Sequence, residues 1–437
     1  MKKLLTVFFA LALVAAFAMP AAAVDVSVKG EYFITGNYQD NPTMQSGDQA
    51  DSASSQWTHQ RFRPQIDFKV QEGLKLTVRI DIMEKYWGQS NEVHATNDKG
   101  SDSRTGTTDG VDNDNETNIE FDRVFITANV GPGVLYAGES DVDYGMKLNN
   151  FLGSGPRVKY AVPFGNFVGE LIWTKKTEHD IGPGVADEDK DEYAVGLMYK
   201  LAKGFVGFYN IYTYDTTDIA ATTWTNAFEP YFSYKFGDVT VQGEFSYSWG
   251  ETDYDAAVYD PDLGGFAMWL AADWAKGDWG VGGQVYYLEG DDPATEDNEG
   301  SVARMGLSPL GTLIMFDYFN NKFNGVNYSG ALADNSWGNG YNNNIMAVEV
   351  HASYRVLPKL TLRAQYTYAD TVEKVSGHME EEYGSEFDLT ATYKIYDNLQ
   401  YMVGFGYLWA GDYWKTDSAD NTVDDDYIVL NQLKLTF

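Results

Sequence analysis

From Asp25 to Phe437 apolar side chains recur at every second position, in segments of about 9–14 residues. A period of two places alternate side chains on opposite faces of an extended strand and does not fit an amphipathic helix. In the segment 387–395, Phe387, Leu389, Ala391, Tyr393 and Ile395 share one face, with Asp388, Thr390, Thr392 and Lys394 on the other. In 239–249 the odd positions are Val239, Val241, Gly243, Phe245, Tyr247 and Trp249, and the even ones Thr240, Gln242, Glu244, Ser246 and Ser248. In 57–70, Phe62, Ile66, Phe68 and Val70 oppose His59, Arg61, Arg63, Gln65, Asp67 and Lys69. Strands of soluble sheets average about 5–6 residues, whereas a tilted strand crossing ~30 Å of hydrocarbon needs about 9–11.

The connections alternate as regularly as the side chains. Tight turns fall at Gln71-Glu72-Gly73, Gly131-Pro132-Gly133, Lys235 to Asp238, Lys276-Gly277-Asp278, Leu357-Pro358-Lys359 and Tyr396-Asp397-Asn398. Between them lie long polar stretches at 39–56, 89–116, 178–192, 250–262, 290–300, 320–344, 370–382 and 411–425. Short turns on one side and long loops on the other are the division of a transmembrane barrel between periplasm and exterior. About 20 segments qualify as strands, two or three of them short enough to belong to loops. Both termini fall on the short-turn side, which requires an even number. The expected fold is all-β: a transmembrane antiparallel β-barrel of about 18 strands, within 16–20.

The compartment follows from the first residues. Lys2 and Lys3, the apolar run from Leu4 to Met19 and the small residues Ala21-Ala22-Ala23 have the layout of a secretory signal peptide. The expected division is a cleaved segment 1–23 and a single barrel 24–437. Past that segment no run approaches the ~18–20 apolar residues of a spanning helix. With no cysteine, disulfides, thiolate metal sites and covalent haem attachment through Cys-x-x-Cys-His are excluded. A formal charge of −33 excludes a nucleic-acid role, which needs a basic face.

An aromatic fraction of 15% coexists with a mean hydropathy of −0.36. Rings at two interfaces around a wet interior reconcile the two. Tyr86 and Trp87, Trp173, Tyr247 and Trp249, and Tyr407 and Trp409 stand near strand ends, as interfacial girdles do. A barrel of this size is too wide for side chains to fill, so the interior is expected to hold water, with few apolar cores.

The last strand places Tyr427, Val429, Leu433, Leu435 and the terminal Phe437 at alternate positions, interrupted at Asn431. This resembles the C-terminal signal that bacterial outer-membrane barrels present to their assembly machinery. The run Phe125-Ile126-Thr127 followed by Gly133-Val134-Leu135-Tyr136-Ala137-Gly138 resembles the strand–turn–strand before the constriction loop of trimeric Gram-negative general-diffusion porins. Glu139 departs from that pattern, where a basic residue is expected. The resemblance implies an outer-membrane homotrimer that passes ions and small hydrophilic solutes by passive diffusion, in contact with lipid and lipopolysaccharide. It also implies that residues 139–156 fold into the pore. Glu139, Asp141, Asp143 and Lys147 would then face Arg61, Arg63, Arg79, Arg355 and Arg363 across a constriction, creating a transverse field. The alternative for these arginines is pairing with carboxylates of the wall.

Acidic runs at 187–189, 291–292, 296–297, 380–382 and 424–426 could hold loosely bound Ca²⁺ or Mg²⁺ beside anionic headgroups. Solvated, self-repelling loops are the simpler reading. The stretch 112–116 lacks the turn glycine of a calcium loop. No other cofactor is expected. The five histidines, His59, His94, His179, His351 and His378, accompany no Gly-x-Ser-x-Gly nucleophile elbow, so an enzyme is not expected and His59 and His351 read as inward wall residues. The competing reading is a structural sheath, a barrel enclosing a partner such as a cytochrome. It is distinguished by whether residues 139–156 lie inside the lumen.

Overall fold

A computed structural model describes residues 24–41, 54–87, 119–141, 143–148, 154–178, 188–218, 220–254, 261–292, 294–300, 310–315, 344–374, 380–415 and 422–437. The segment expected to be cleaved, the stretch 112–116 and three histidines, His94, His179 and His378, lie outside these residues. The first six strands are β1 (Asp25–Gln39), β2 (Ser55–Gln71), β3 (Leu74–Tyr86), β4 (Ile119–Val130), β5 (Gly133–Asp141) and β6 (Ser154–Phe164). They are followed by β7 (Phe167–Thr177), β8 (Lys190–Leu201), β9 (Gly204–Asp215), β10 (Ala221–Phe236), β11 (Val239–Tyr254) and β12 (Asp262–Lys276). The last six are β13 (Trp279–Leu288), β14 (Ile345–Leu357), β15 (Leu360–Asp370), β16 (Glu382–Tyr396), β17 (Leu399–Ala410) and β18 (Asp426–Thr436).

Each strand pairs antiparallel with its sequence neighbours, and β1 also pairs with β18, which closes the sheet. Closure is obligatory in hydrocarbon, where each unpaired backbone N–H or C=O costs several kcal/mol. At the seam Gly30 donates its N–H to the Phe437 carbonyl at 2.9 Å, and Phe437 returns a bond to the Gly30 carbonyl at 3.1 Å. On the side of both termini, successive strands are joined by two-residue turns. Gly73, Gly131, Gly165, Gly237 and Gly277 occupy these turns at φ between 56° and 77°, the left-handed region open to glycine. The opposite end carries the long connections.

The alternation orients the wall as its period requires. On β11 Glu244, Ser246 and Ser248 are buried toward the interior while Tyr247 and Trp249 are exposed. On β16 Glu386 and Asp388 point in and Leu389 and Tyr393 out. Aromatic pairs ring both rims: Phe164–Phe167, Tyr234–Phe236 and Trp279–Tyr354 near the short turns, Tyr247–Trp249 and Tyr407–Trp409 near the long loops. No helix among the described residues is long and apolar enough to cross a membrane; the crossing is made by strands.

The strand count of 18 is the one expected, with 290–300 and 320–344 both lying between β13 and β14. One expectation is corrected: the interior is not polar throughout. Leu148, Leu310, Leu313, Ile314 and Met315 form an apolar cluster with the inner wall residues Trp269, Tyr286, Ala347, Met402 and Leu430. Chain from the long connections enters the bore and supplies the apolar surface that wall side chains alone cannot reach across.

Candidate functional site

The lumen has three sectors. The first is an ion-paired wall on β1 to β6. Arg61 contacts Glu31 at 3.1 Å and Glu84 at 3.6 Å, and its guanidinium lies 5.0 Å from the centre of the Phe33 ring. Arg63 pairs with Asp81, Arg79 with Asp122, and Arg123 with Asp141 and, at 3.4 Å, with Asp122. Arg157 donates to the Thr174 hydroxyl at 3.0 Å and to the Asp141 carbonyl at 2.7 Å. Neighbouring strands lie ≈ 4.7–4.9 Å apart, so long side chains at adjacent inward positions meet across the ladder.

The second sector is the described part of the connection after β5. Tyr144 is buried against the wall, donates its hydroxyl to Glu192 at 2.6 Å and packs edge-on to Tyr209, with Arg157 over its ring at 4.8 Å. Burial, then the Glu192 carboxylate, pushes the Tyr144 phenol above its ordinary value. The backbone N–H groups of Met146 and Leu148 donate to Glu244 at 3.0 Å, and that of Lys147 donates to the same carboxylate. Burial pulls the Lys147 ammonium below its usual value, against the attraction of Glu244. In a ring of 18 strands β11 stands nine positions from β2. Glu244 and the turn it binds therefore lie across the bore from Arg61 and Arg63.

The third sector, which the sequence reading missed, is residues 310–315. Leu313, Ile314 and Met315 donate their N–H groups to Glu386 at 2.8, 2.7 and 2.6 Å, and Gln365 donates to the Leu310 carbonyl at 2.9 Å.

The expected site residues divide accordingly. Arg61, Arg63 and Arg79 face the lumen, and each is engaged by a carboxylate of a neighbouring strand. Arg363 also faces in, 3.4 Å from Glu349 and 3.1 Å from Gln365. Asp143 and Lys147 travel with the infolded turn and are half-buried, while the Asp141 carboxylate meets Arg123. Two residues are placed differently. Arg355 sits two residues before the end of β14 and pairs at 3.3 Å with Asp278 of another periplasmic-side turn, away from the narrowing. Glu139 is register-paired with Val124 and Pro156, both exposed on the outer face, so it does not share the inward set. Alternation assigns a face but neither a depth nor a break in regularity, and Gly138, at φ 130°, stands just before Glu139.

His59 packs beside Phe33, and His351 lies between Glu349 at 2.9 Å and Asp273 at 3.1 Å. Among the described residues no group of three or more histidine, aspartate or glutamate side chains is arranged to hold a metal ion. Val429 on β18 and Phe437 just past its end are exposed on the outer face, Tyr427 contacts Tyr38, and Phe437 contacts Phe62.

A closed 18-strand barrel with infolded loops agrees with a match at the sequence level: the family model of Gram-negative porins covers residues 10–308. The chain belongs to the Gram-negative porin family. As a porin it is an outer-membrane channel for small solutes; its family is one of channels rather than enzymes. No curated protein sequence matches it. Its fold is shared by solved outer-membrane porins of low sequence identity. OccK9 (OpdG) of Pseudomonas aeruginosa aligns with TM-score 0.55 at 13% identity, covering 94% of this porin and 99% of that chain. OccK2 (OpdF) of the same organism, solved in complex with glucuronate, aligns with TM-score 0.52 at 11% identity, covering 94% and 98%. A BenF-like porin from Pseudomonas fluorescens aligns with TM-score 0.53 at 11% identity, covering 94% and 99%.

Proposed function

We propose that this porin conducts ions and small hydrophilic solutes past a narrowing built on Tyr144 to Leu148, with a modest preference for cations. The observation that carries the preference is the engagement of Arg61, Arg63, Arg79 and Arg123 by carboxylates, which leaves that wall without net positive charge. The chain as a whole carries −33, much of it in acidic loops at the mouth that concentrate cations. Solutes bearing several hydroxyls, or a carboxylate alongside them, suit a surface of alternating arginine and carboxylate. The glucuronate bound by OccK2 is of that chemical kind. A reversal potential measured across a KCl gradient tests the preference: the sign for cations is expected, and a clear anion sign contradicts it.

Other features belong to the same reading. The porin assembles as a homotrimer, and its final strand, with Tyr427, Val429, Leu433, Leu435 and Phe437, is the signal read by the barrel-assembly machinery. The acidic loops meet lipopolysaccharide through loosely held Ca²⁺ or Mg²⁺, and transport needs no cofactor and no enzymatic step. A sheath around a partner is disfavoured, because a sheath needs an open bore and two connections enter this one.

A further inference from the structure

Two segments of different connections end on the same device. Gly145, at φ 60°, precedes three consecutive N–H groups, those of Met146, Lys147 and Leu148, that converge on the carboxylate of Glu244. Gly311, at φ 69°, precedes Leu313, Ile314 and Met315, whose N–H groups converge on Glu386. Successive N–H groups aimed at one anion form a nest, and charge-assisted bonds of this kind are about twice as strong as neutral ones. Both glutamates are fully buried at inward wall positions. At Gly145 a Cβ would lie 1.7 Å from a Glu244 carboxylate oxygen, so no other residue fits there with the bonds in place.

The wall beneath the second segment is shaped for it. A Cβ at Gly404 would lie 3.1 Å from Leu313 Cδ1, and one at Gly406 would lie 3.1 Å from Leu313 Cβ. Leu148 from the first segment and Leu310, Leu313, Ile314 and Met315 from the second are members of one continuous apolar cluster. The two segments thus line the bore from β6 and β8, where Tyr144 packs, round to β18, and leave the ion-paired β1-to-β5 side as the wetter path.

We propose that Glu244 and Glu386 are the size-determining residues of the channel, each latching one infolded segment to the wall so that the two form a single septum. The inference deepens the channel reading and rests on it. Both act as positioning residues, since the surface a solute meets belongs to the segments they hold.

The test uses the full-length porin in planar bilayers and in liposomes swollen by sugars of increasing size. Glu386→Ala and Glu244→Ala are each expected to raise single-channel conductance by roughly two-fold or more and to admit larger sugars, because conduction follows the open cross-section at the narrowest point. Gly145→Val should act as Glu244→Ala does. A cross-link provides the rescue. The chain has no cysteine, and once the Asp388 carboxylate, 2.7 Å from a Cβ at Gly406, turns aside, the 3.1 Å between that Cβ and Leu313 Cβ is close to the ≈ 3.5–4.5 Å of a disulfide. Oxidised Leu313→Cys/Gly406→Cys in the Glu386→Ala background should restore the native conductance, and reduction should release it. Native conductance and exclusion limit in folded Glu386→Ala and Glu244→Ala barrels would overturn the proposal. An absence of conductance in the unaltered porin would instead remove the channel reading itself.

Discussion

Phe437 and Gly30 exchange both of their backbone hydrogen bonds, so the final residue of the chain is part of the seam that closes the barrel. Gly30 leaves no space for a side chain: a Cβ there would lie 2.4 Å from the Arg63 carbonyl oxygen and 2.8 Å from Pro64 Cα. Gly30→Val forces β1 and β2 apart at the seam, at a cost of about 1–3 kcal/mol or more. The folded fraction, read as heat-modifiable mobility on gels, should fall accordingly.

The two faces of the wall should respond oppositely to the same charge. Val403 is exposed on the outer face of β17, and Val403→Arg should cost about 2–4 kcal/mol near the midplane. Thr390 lies on the inward set of β16, and Thr390→Arg should be tolerated while shifting the reversal potential toward anions. Denaturant unfolding in detergent and bilayer recordings separate the two effects; equal destabilisation, or a larger cost at Thr390, would contradict this assignment of the faces.

Removing one member of a wall pair should alter both stability and selectivity. Asp81→Ala leaves Arg63 without its carboxylate. The expected cost is about 1–3 kcal/mol, between that of exposed and buried pairs, since the lumen is partly wet. The freed guanidinium should shift the reversal potential toward anions. An unchanged potential would show that solutes do not pass this wall.

One loop should respond to mild acid. Glu373 is held above the ordinary carboxylate range by burial and by Asp292, Glu299, Glu381 and Glu289. Its backbone is fixed by Asn344, which accepts the Glu373 N–H at 2.7 Å and donates to the Glu373 carbonyl at 2.9 Å. A raised folded-state value means that the folded loop binds the proton more tightly than the unfolded chain. Stability is therefore greatest below the ordinary value and is lost as pH rises through the raised one. Protection at 371–374, taken relative to the intrinsic exchange rate at each pH, should rise as pH falls toward the usual glutamate range, and Glu373→Gln should remove that rise.

The barrel was legible because its two strongest constraints are local. The inward sets on β11 and β16 follow from a period of two, and the two-residue turns announce themselves through glycine, proline and polar residues. The arginine wall was half legible: the inward face of Arg61 and Arg63 could be read along β2, but Asp81 and Asp122 lie on other strands and are brought to them only by register. The depth of Arg355 depended on where β14 ends. The segment 310–315 left the weakest trace, because a six-residue apolar stretch inside a long connection looks the same whether it is a short strand or an inward fold. Its partner Glu386 was visible as the polar member of an alternating strand, with nothing local to say that three backbone N–H groups converge on it.

The central claim is a continuous hydrated path through a closed barrel, and single-channel recording of the purified porin in a planar bilayer addresses it directly. Discrete, ohmic conductance steps are predicted. A correctly folded, membrane-inserted barrel that passes no current would contradict it.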